Sequence, residues 1–109
     1  MGQLVKNGDI CWYTFPAPNK RRPVLILTRD SAIRVLNSIT VAPITSTIRN
    51  IPTELILNAD DGLPEICAVN FDNIQTVPKT NISPTIAHLS NARMQDATTA
   101  IKFALALSD

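Results

Sequence analysis

The side chains best suited to chemistry fall in three short polar groups set between apolar runs: Lys20-Arg21-Arg22, Thr45-Ser46-Thr47 and Asp72. A guanidinium gives bidentate, charge-assisted bonds to phosphate oxygens and stays cationic at any working pH. Threonine and serine hydroxyls can bond a non-bridging phosphate oxygen and align it. Together these types suit the holding of a phosphodiester. Pro23 follows Arg22 and opens the run Val24-Leu25-Ile26-Leu27. Proline cannot donate to a sheet ladder, so it marks a strand start, and it pushes the residue before it towards an extended backbone. Arg22 is thereby fixed more tightly than Lys20 or Arg21.

Other chemistries lack their residues. His88 is the one histidine, so acid–base work by a histidine pair is excluded. The three glycines, Gly2, Gly8 and Gly62, are isolated and form no phosphate loop, and no Ser/His/Asp order stands out. Cys11 and Cys67 sit in apolar, strand-like patterns without a CxxC, which leaves little to build a metal site. No metal and no cofactor are expected.

These groups must be positioned by strands. Residues 8–15 read as a first strand entered through a Gly-Asp turn, and 16–19 as a short, stiff connection. A second strand is expected over 22–28 and a weak helical stretch over 29–37, capped by Asp30 or Ser31. The third strand, 38–46, contains Pro43, which predicts a bulge or a sheet edge. Strands at 53–57 and 66–71 flank a turn at 60–64, and 73–77 continues the latter or starts a sixth. His88 lies in an alternating segment, 85–89, facing solvent or a strand partner. From Ser90 the period changes to 3.6, with Met94, Ala97, Ile101, Ala104 and Leu105 on one helix face. The fold class expected is mainly β with a C-terminal helix, a small and partly open barrel in one domain over 1–109. Among the five aromatics, Phe15 beside the short connection is the expected base platform, and Trp12 and Phe71 are expected in the core.

The net charge of +1 argues against bulk affinity for nucleic acid, but its distribution is uneven. Residues 1–49 hold seven Lys/Arg against two Asp, and 50–109 hold three against seven acids, so one basic face can form. No stretch approaches the roughly 18–20 apolar residues of a membrane span, and the N-terminus lacks signal-peptide regions. A cytoplasmic protein without membrane partners is expected.

The chain resembles the MazF/PemK/Kid family of toxin endoribonucleases over nearly its whole length. The resemblance is carried by Gly8-Asp9-Ile10, Arg22-Pro23-Val24-Leu25-Ile26-Leu27, Val41-Ala42-Pro43-Ile44-Thr45-Ser46-Thr47, Pro52-Thr53-Glu54, the stretch from Asp72 to Thr76, and the closing helix. It implies an SH3-like barrel of the MazF/CcdB type, a homodimer, and metal-independent, sequence-selective cleavage of single-stranded RNA (mRNA) by 2′-OH transesterification. A cognate antitoxin with an acidic, partly disordered tail would silence it. The family's essential arginine and threonine fall on Arg22 and Thr45, and its acidic position falls on Asp72. Ser46 matches an accompanying hydroxyl, and Asn73 falls where an amide often meets a base. Lys20, Arg21, Thr47, Gln75 and Phe15 complete the expected RNA contacts.

Two departures accompany the match. The connection over 16–20 is shorter than is usual in the family, and Gln75 stands where many relatives have arginine. Both lie where relatives contact substrate, which leaves a weak or inactive antitoxin-binding scaffold as one alternative. A gyrase-binding toxin like CcdB is the other, disfavoured because the helix ends Ala104-Leu105-Ala106-Leu107-Ser108-Asp109 without a tryptophan.

Overall fold

The structure is a computed structural model that describes residues 5–16 and 21–107. Seven strands and two helices follow in order: β1 (Asp9–Thr14), β2 (Arg21–Ile26), α1 (Asp30–Ile33), β3 (Ser38–Thr45), β4 (Glu54–Leu57), β5 (Cys67–Asn70), β6 (Gln75–Pro78), β7 (Ile82–His88) and α2 (Asn91–Ala104). All pairings are antiparallel, in the order β4-β5-β3-β2-β1-β7, with β6 on the first half of β3. The two end strands, β4 and β7, do not pair with each other. The sheet curls around a core without closing, as expected of a partly open barrel.

Alternation along the central strands divides the apolar residues between two cores. Ile10, Leu25, Ala42, Ile44 and Phe71 belong to one, which α2 covers. Cys11, Tyr13, Val24, Ile26 and Val41 belong to the other, which Ile33 of α1 and Val77 of β6 help to close. Each fully buried Val, Leu, Ile or Phe among them stabilises the fold by about 1.5–3 kcal/mol. The helix meets the sheet through two small buried residues, Ala97 and Ala100, with Met94, Ile101 and Ala104 beside them. Ser90 caps it, its Oγ accepting from Arg93 N at 3.2 Å. Leu105, expected on the same face, lies past the last helical residue and is 53 % exposed.

Three further expectations are corrected. Pro43 causes neither an edge nor a bulge; it pairs with Val24 in the middle of the sheet. Thr40 O accepts from Leu27 N at 2.9 Å, so the even positions of β3 turn their peptide groups to β2 and Pro43 turns away from it. On that far side β6 pairs only as far as Val41 and β5 begins at Ile44, so the missing N–H falls in a gap between partners. The register shifts occur between β1 and β7, around Cys11. The stretch 82–88 is a full strand, which makes seven strands where five or six were expected. Neither Asp30 nor Ser31 caps α1; its N-cap is Arg29, without a side-chain bond, and Asp30 Oδ1 instead accepts from Asn7 N at 2.7 Å. Among the described residues, no helix is long and apolar enough to cross a membrane.

Candidate functional site

The strand pairings bring the first two polar groups together. β2 and β3 run in register from Ile26↔Val41 to Val24↔Pro43. Carried two residues beyond the paired stretch, that register brings Arg22 level with Thr45 on the same face, and both residues line the same two clefts. Arg22 is half-buried and lies opposite the buried Tyr13 on its other side. Arg22, Thr45 and Thr47 line two clefts at once, a large one of about 630 Å³ and a small one of about 170 Å³. The arginine and threonine thus stand on the rim between two openings.

Local bonding prepares Thr45 for use. Its Oγ1 accepts from Thr47 N at 3.1 Å, which fixes the side chain and leaves the hydroxyl hydrogen to donate elsewhere. The turn that follows is held by Glu54, whose Oε1 accepts from Arg49 N at 3.0 Å and Asn50 N at 3.1 Å. Asn50 has φ 56, a left-handed conformation that asparagine tolerates better than most residues. Arg49, Glu54, Asn70 and Asn73 line the small cleft with the three rim residues.

Asp72 sits just beside this lining, in the 3-10 turn Phe71–Asn73, and is not part of it. Its Oδ2 accepts from Thr53 Oγ1 at 2.7 Å, and its own N–H donates to Asn70 Oδ1 at 2.9 Å. Ser46 lines the large cleft, away from Asn73 in the small one. Gln75 lines neither cleft; it pairs with Val41 in β6, and its Nε2 donates to Asn73 O at 3.4 Å. Phe15 packs edge-on against Tyr13, with ring centroids 4.8 Å apart, and borders the second core. Lys20 lies outside the described residues.

Strand alternation separates the two remaining basic residues. Arg21 pairs with Thr14 and Arg22 with Tyr13, so their side chains leave opposite faces of β2. Arg21 places its guanidinium carbon 4.6 Å from the centroid of the Trp12 ring. Trp12, expected in the core, is half-buried and lines the large cleft instead; it falls at the register shift between Cys11 and Tyr13, where β1 has no β7 partner for it. Trp12, Arg49 and Asn70 are among the lining residues that the sequence does not assign to the site, as are Glu65 and Cys67; Glu54 enters it only as part of a motif.

Cys67 also lines the large cleft, and burial pushes its thiol up, with Asp61 and Glu65 adding to the rise. His88 is elsewhere: its Nδ1 lies 2.7 Å from Oδ1 of the buried Asp9, joining β7 to the start of β1. Among the described residues, no three His, Cys, Asp or Glu side chains are grouped to hold a metal ion.

Residues 6–105 match the family described as "PemK-like, MazF-like toxin of type II toxin-antitoxin system". The chain is 38% identical over 94 residues to the probable endoribonuclease MazF2 of Mycobacterium tuberculosis, covering 85% of this chain and 90% of that protein. Its fold is similar to that of the Mycobacterium tuberculosis toxin MazF-mt6, with TM-score 0.85 and 36% identity over 93% of this chain and 99% of that one. It is also similar to a mycobacterial endoribonuclease solved in complex with its cognate antitoxin, with TM-score 0.85 and 26% identity over 96% and 98% of the two chains. The motifs around Arg22 and Thr45, the curled sheet with its closing helix and the matched span agree: this chain belongs to the PemK/MazF-like family of type II toxin–antitoxin toxins.

Proposed function

We propose that the protein is an endoribonuclease toxin that cuts single-stranded RNA, without a metal ion, at a phosphodiester held between Arg22 and Thr45. The observation that carries this reading is the rim itself. A half-buried arginine and a threonine whose hydroxyl already accepts from Thr47 N line the same two clefts. A strand crossing there would present its phosphate to both donors and its two neighbouring nucleosides to the two clefts.

In the proposed reaction the 2′-oxygen attacks the adjacent phosphorus and the bond to the 5′-oxygen breaks. The products are a 2′,3′-cyclic phosphate and a 5′-hydroxyl end. Negative charge accumulates on the phosphoryl oxygens, and Arg22 and Thr45 neutralise and orient it; one such preorganised donor supplies about 3–4 kcal/mol in comparable sites. Arginine does not give up its proton readily, so Arg22 serves as a charge stabiliser and Asp72 is assigned the 2′-hydroxyl proton. Oδ2 of Asp72 is engaged by Thr53, which leaves Oδ1 for that task. The proposed partners are single-stranded RNA, a second copy of the chain, and a cognate antitoxin whose acidic segment competes for the basic rim.

The test is incubation with a defined RNA, with and without EDTA, followed by mapping of cut sites and end groups. Cuts that persist in EDTA and leave 5′-hydroxyl ends are expected. Cuts that vanish in EDTA, or that leave 5′-phosphates, overturn the mechanism. R22A is expected to abolish cutting while leaving far-UV circular dichroism and Tm in place; an R22A preparation that still cuts sinks the assignment.

A further inference from the structure

Arg21 does something a residue that merely attracts phosphate does not. Its planar cation lies over the Trp12 indole, 4.6 Å from the ring centroid, rather than extending into solvent. One side of the guanidinium is thus backed by an aromatic ring, while Arg21 itself remains exposed. Both residues line the large cleft, as do Arg22 and Thr45. At about 630 Å³ the cleft falls within the roughly 300–1,000 Å³ of small-molecule sites.

We propose that the Trp12–Arg21 pair is a stacking platform for the nucleobase of one nucleotide next to the cut phosphate. The inference rests on the ribonuclease reading and extends it to substrate selection. Three observations support it. Arg21 and Arg22 leave opposite faces of one strand, so a phosphate held at Arg22 leaves the adjoining nucleoside to fold over onto Arg21. Unstacked bases of single-stranded RNA are held on aromatic rings and on guanidinium planes, and this pair offers the second reinforced by the first. Of the other aromatics, Tyr13 and Phe71 are buried, Phe15 packs on Tyr13, and Phe103 is on α2; Trp12 is the one lining the cleft.

The decisive variant is R21K, which keeps the charge and removes the plane. Wild type and R21K are compared on RNAs carrying one abasic nucleotide at successive positions around the cut. Loss of one base stack corresponds to roughly a tenfold fall in kcat/KM. The expected result is a fall of that size for R21K with a changed cut-site profile. An abasic penalty at one flanking position should be present in wild type and absent in R21K. An R21K that cuts like wild type at the same sites overturns the proposal, as does an abasic penalty of equal size in both proteins at every position.

A second measurement does not need catalysis. Trp12 is the chain's one tryptophan, so its emission reports the platform directly. An oligonucleotide with a 2′-deoxy residue at the cut should quench it, and the abasic version should quench it far less. Equal effects from both, or none, count against base stacking. Failure of wild type to cut any RNA would remove the ribonuclease reading instead, and the same titration with an uncut RNA, with and without one abasic nucleotide, would still decide whether the pair stacks a base. An R21K that cuts normally but escapes the antitoxin would overturn the proposal and give the cleft to that partner.

Discussion

Thr45 shows how much of a site's readiness lies in one hydrogen bond. Because its Oγ1 accepts from Thr47 N, the rotamer is set before any substrate arrives, and the remaining hydrogen is the one that can meet a phosphoryl oxygen. T45V keeps the shape and removes the donor, and kcat is expected to fall on the order of 10²-fold. T45S loses the methyl group but keeps the hydroxyl and should stay within a few-fold; single-turnover cleavage separates the two variants. A T45V enzyme as fast as T45S would show that the hydroxyl has no part in the chemistry. Cys67 makes a different residue-level prediction. Its thiol is raised by burial and by the carboxylates of Asp61 and Glu65, and the reactive species is the thiolate. Alkylation by iodoacetamide near pH 8 should therefore be slower at Cys67 than for an unstructured cysteine, with its midpoint displaced to higher pH. Mass spectrometry resolved by site checks this, and a rate equal to that of a free thiol contradicts the environment described.

Elements decide which of these residues meet, and here sequence and structure part in instructive ways. That Arg22 and Thr45 reach the same clefts is legible, because Pro23 marks the start of β2 and the hydroxyl run the end of β3. The role of Pro43 was not, because β3 changes partner from β6 to β5 midway and no local pattern encodes a partner change. β7 was seen only as a short alternating segment, since Ser83-Pro84-Thr85 interrupts the apolar pattern a strand would show. Trp12 alternates with core residues and so reads as core, although it falls at a register shift of β1 against β7 and lines the cleft. Two tethers at element ends yield predictions. Glu54 pins the turn after Thr47 through two backbone N–H groups. E54Q retains that acceptor and should cut within a few-fold of wild type, whereas E54A should lose at least tenfold through a loosened rim. Equal loss in both variants would mean that the charge of Glu54, not its acceptor, is what the site uses. Arg93 ties α2 to the turn after β4: its Nε donates to Asp61 Oδ1 at 2.9 Å, and its Nη2 reaches Asp61 Oδ2 and Ile56 O. The hydrogen bond with Asp61 raises the Arg93 pKa further above an already high value. A raised cation stabilises the fold below its unfolded value and loses that contribution only as pH climbs past the folded one. Across ordinary pH the contribution is therefore constant. R93A strands the nearly buried Asp61 and should cost about 1–3 kcal/mol. Thermal melts should show a lower Tm at pH 6 and pH 8 alike, partly restored in D61N/R93A; an unchanged Tm would mean the clamp is only decorative.

At the scale of the whole molecule, the proposed function asks how a chain of net charge +1 would grip a polyanion. The answer lies in where charges are spent. Both acids of the first 49 residues are engaged locally, Asp9 by His88 and Asp30 by Asn7 N. Lys79 is likewise occupied, its Nζ donating to Ile33 O at 2.6 Å. Arg21, Arg22 and Arg49 instead line the two clefts on either side of the rim. An RNA crossing from one cleft to the other would pass all three, and each phosphate neutralised on a single strand adds about 0.7 to the slope of log K against log salt. The three arginines should not behave alike in such a titration. R22A and R49A each remove a phosphate partner and should lower the slope by about 0.7. R21K retains its charge, so its slope should match wild type even as affinity drops, because what it loses is a stacking plane. Binding of an oligonucleotide with 2′-deoxy at the cut, measured from low to physiological salt, makes the comparison without turnover. A reduced slope in R21K would place Arg21 on the backbone, and unchanged slopes in R22A and R49A would mean that the strand does not cross the rim between the clefts.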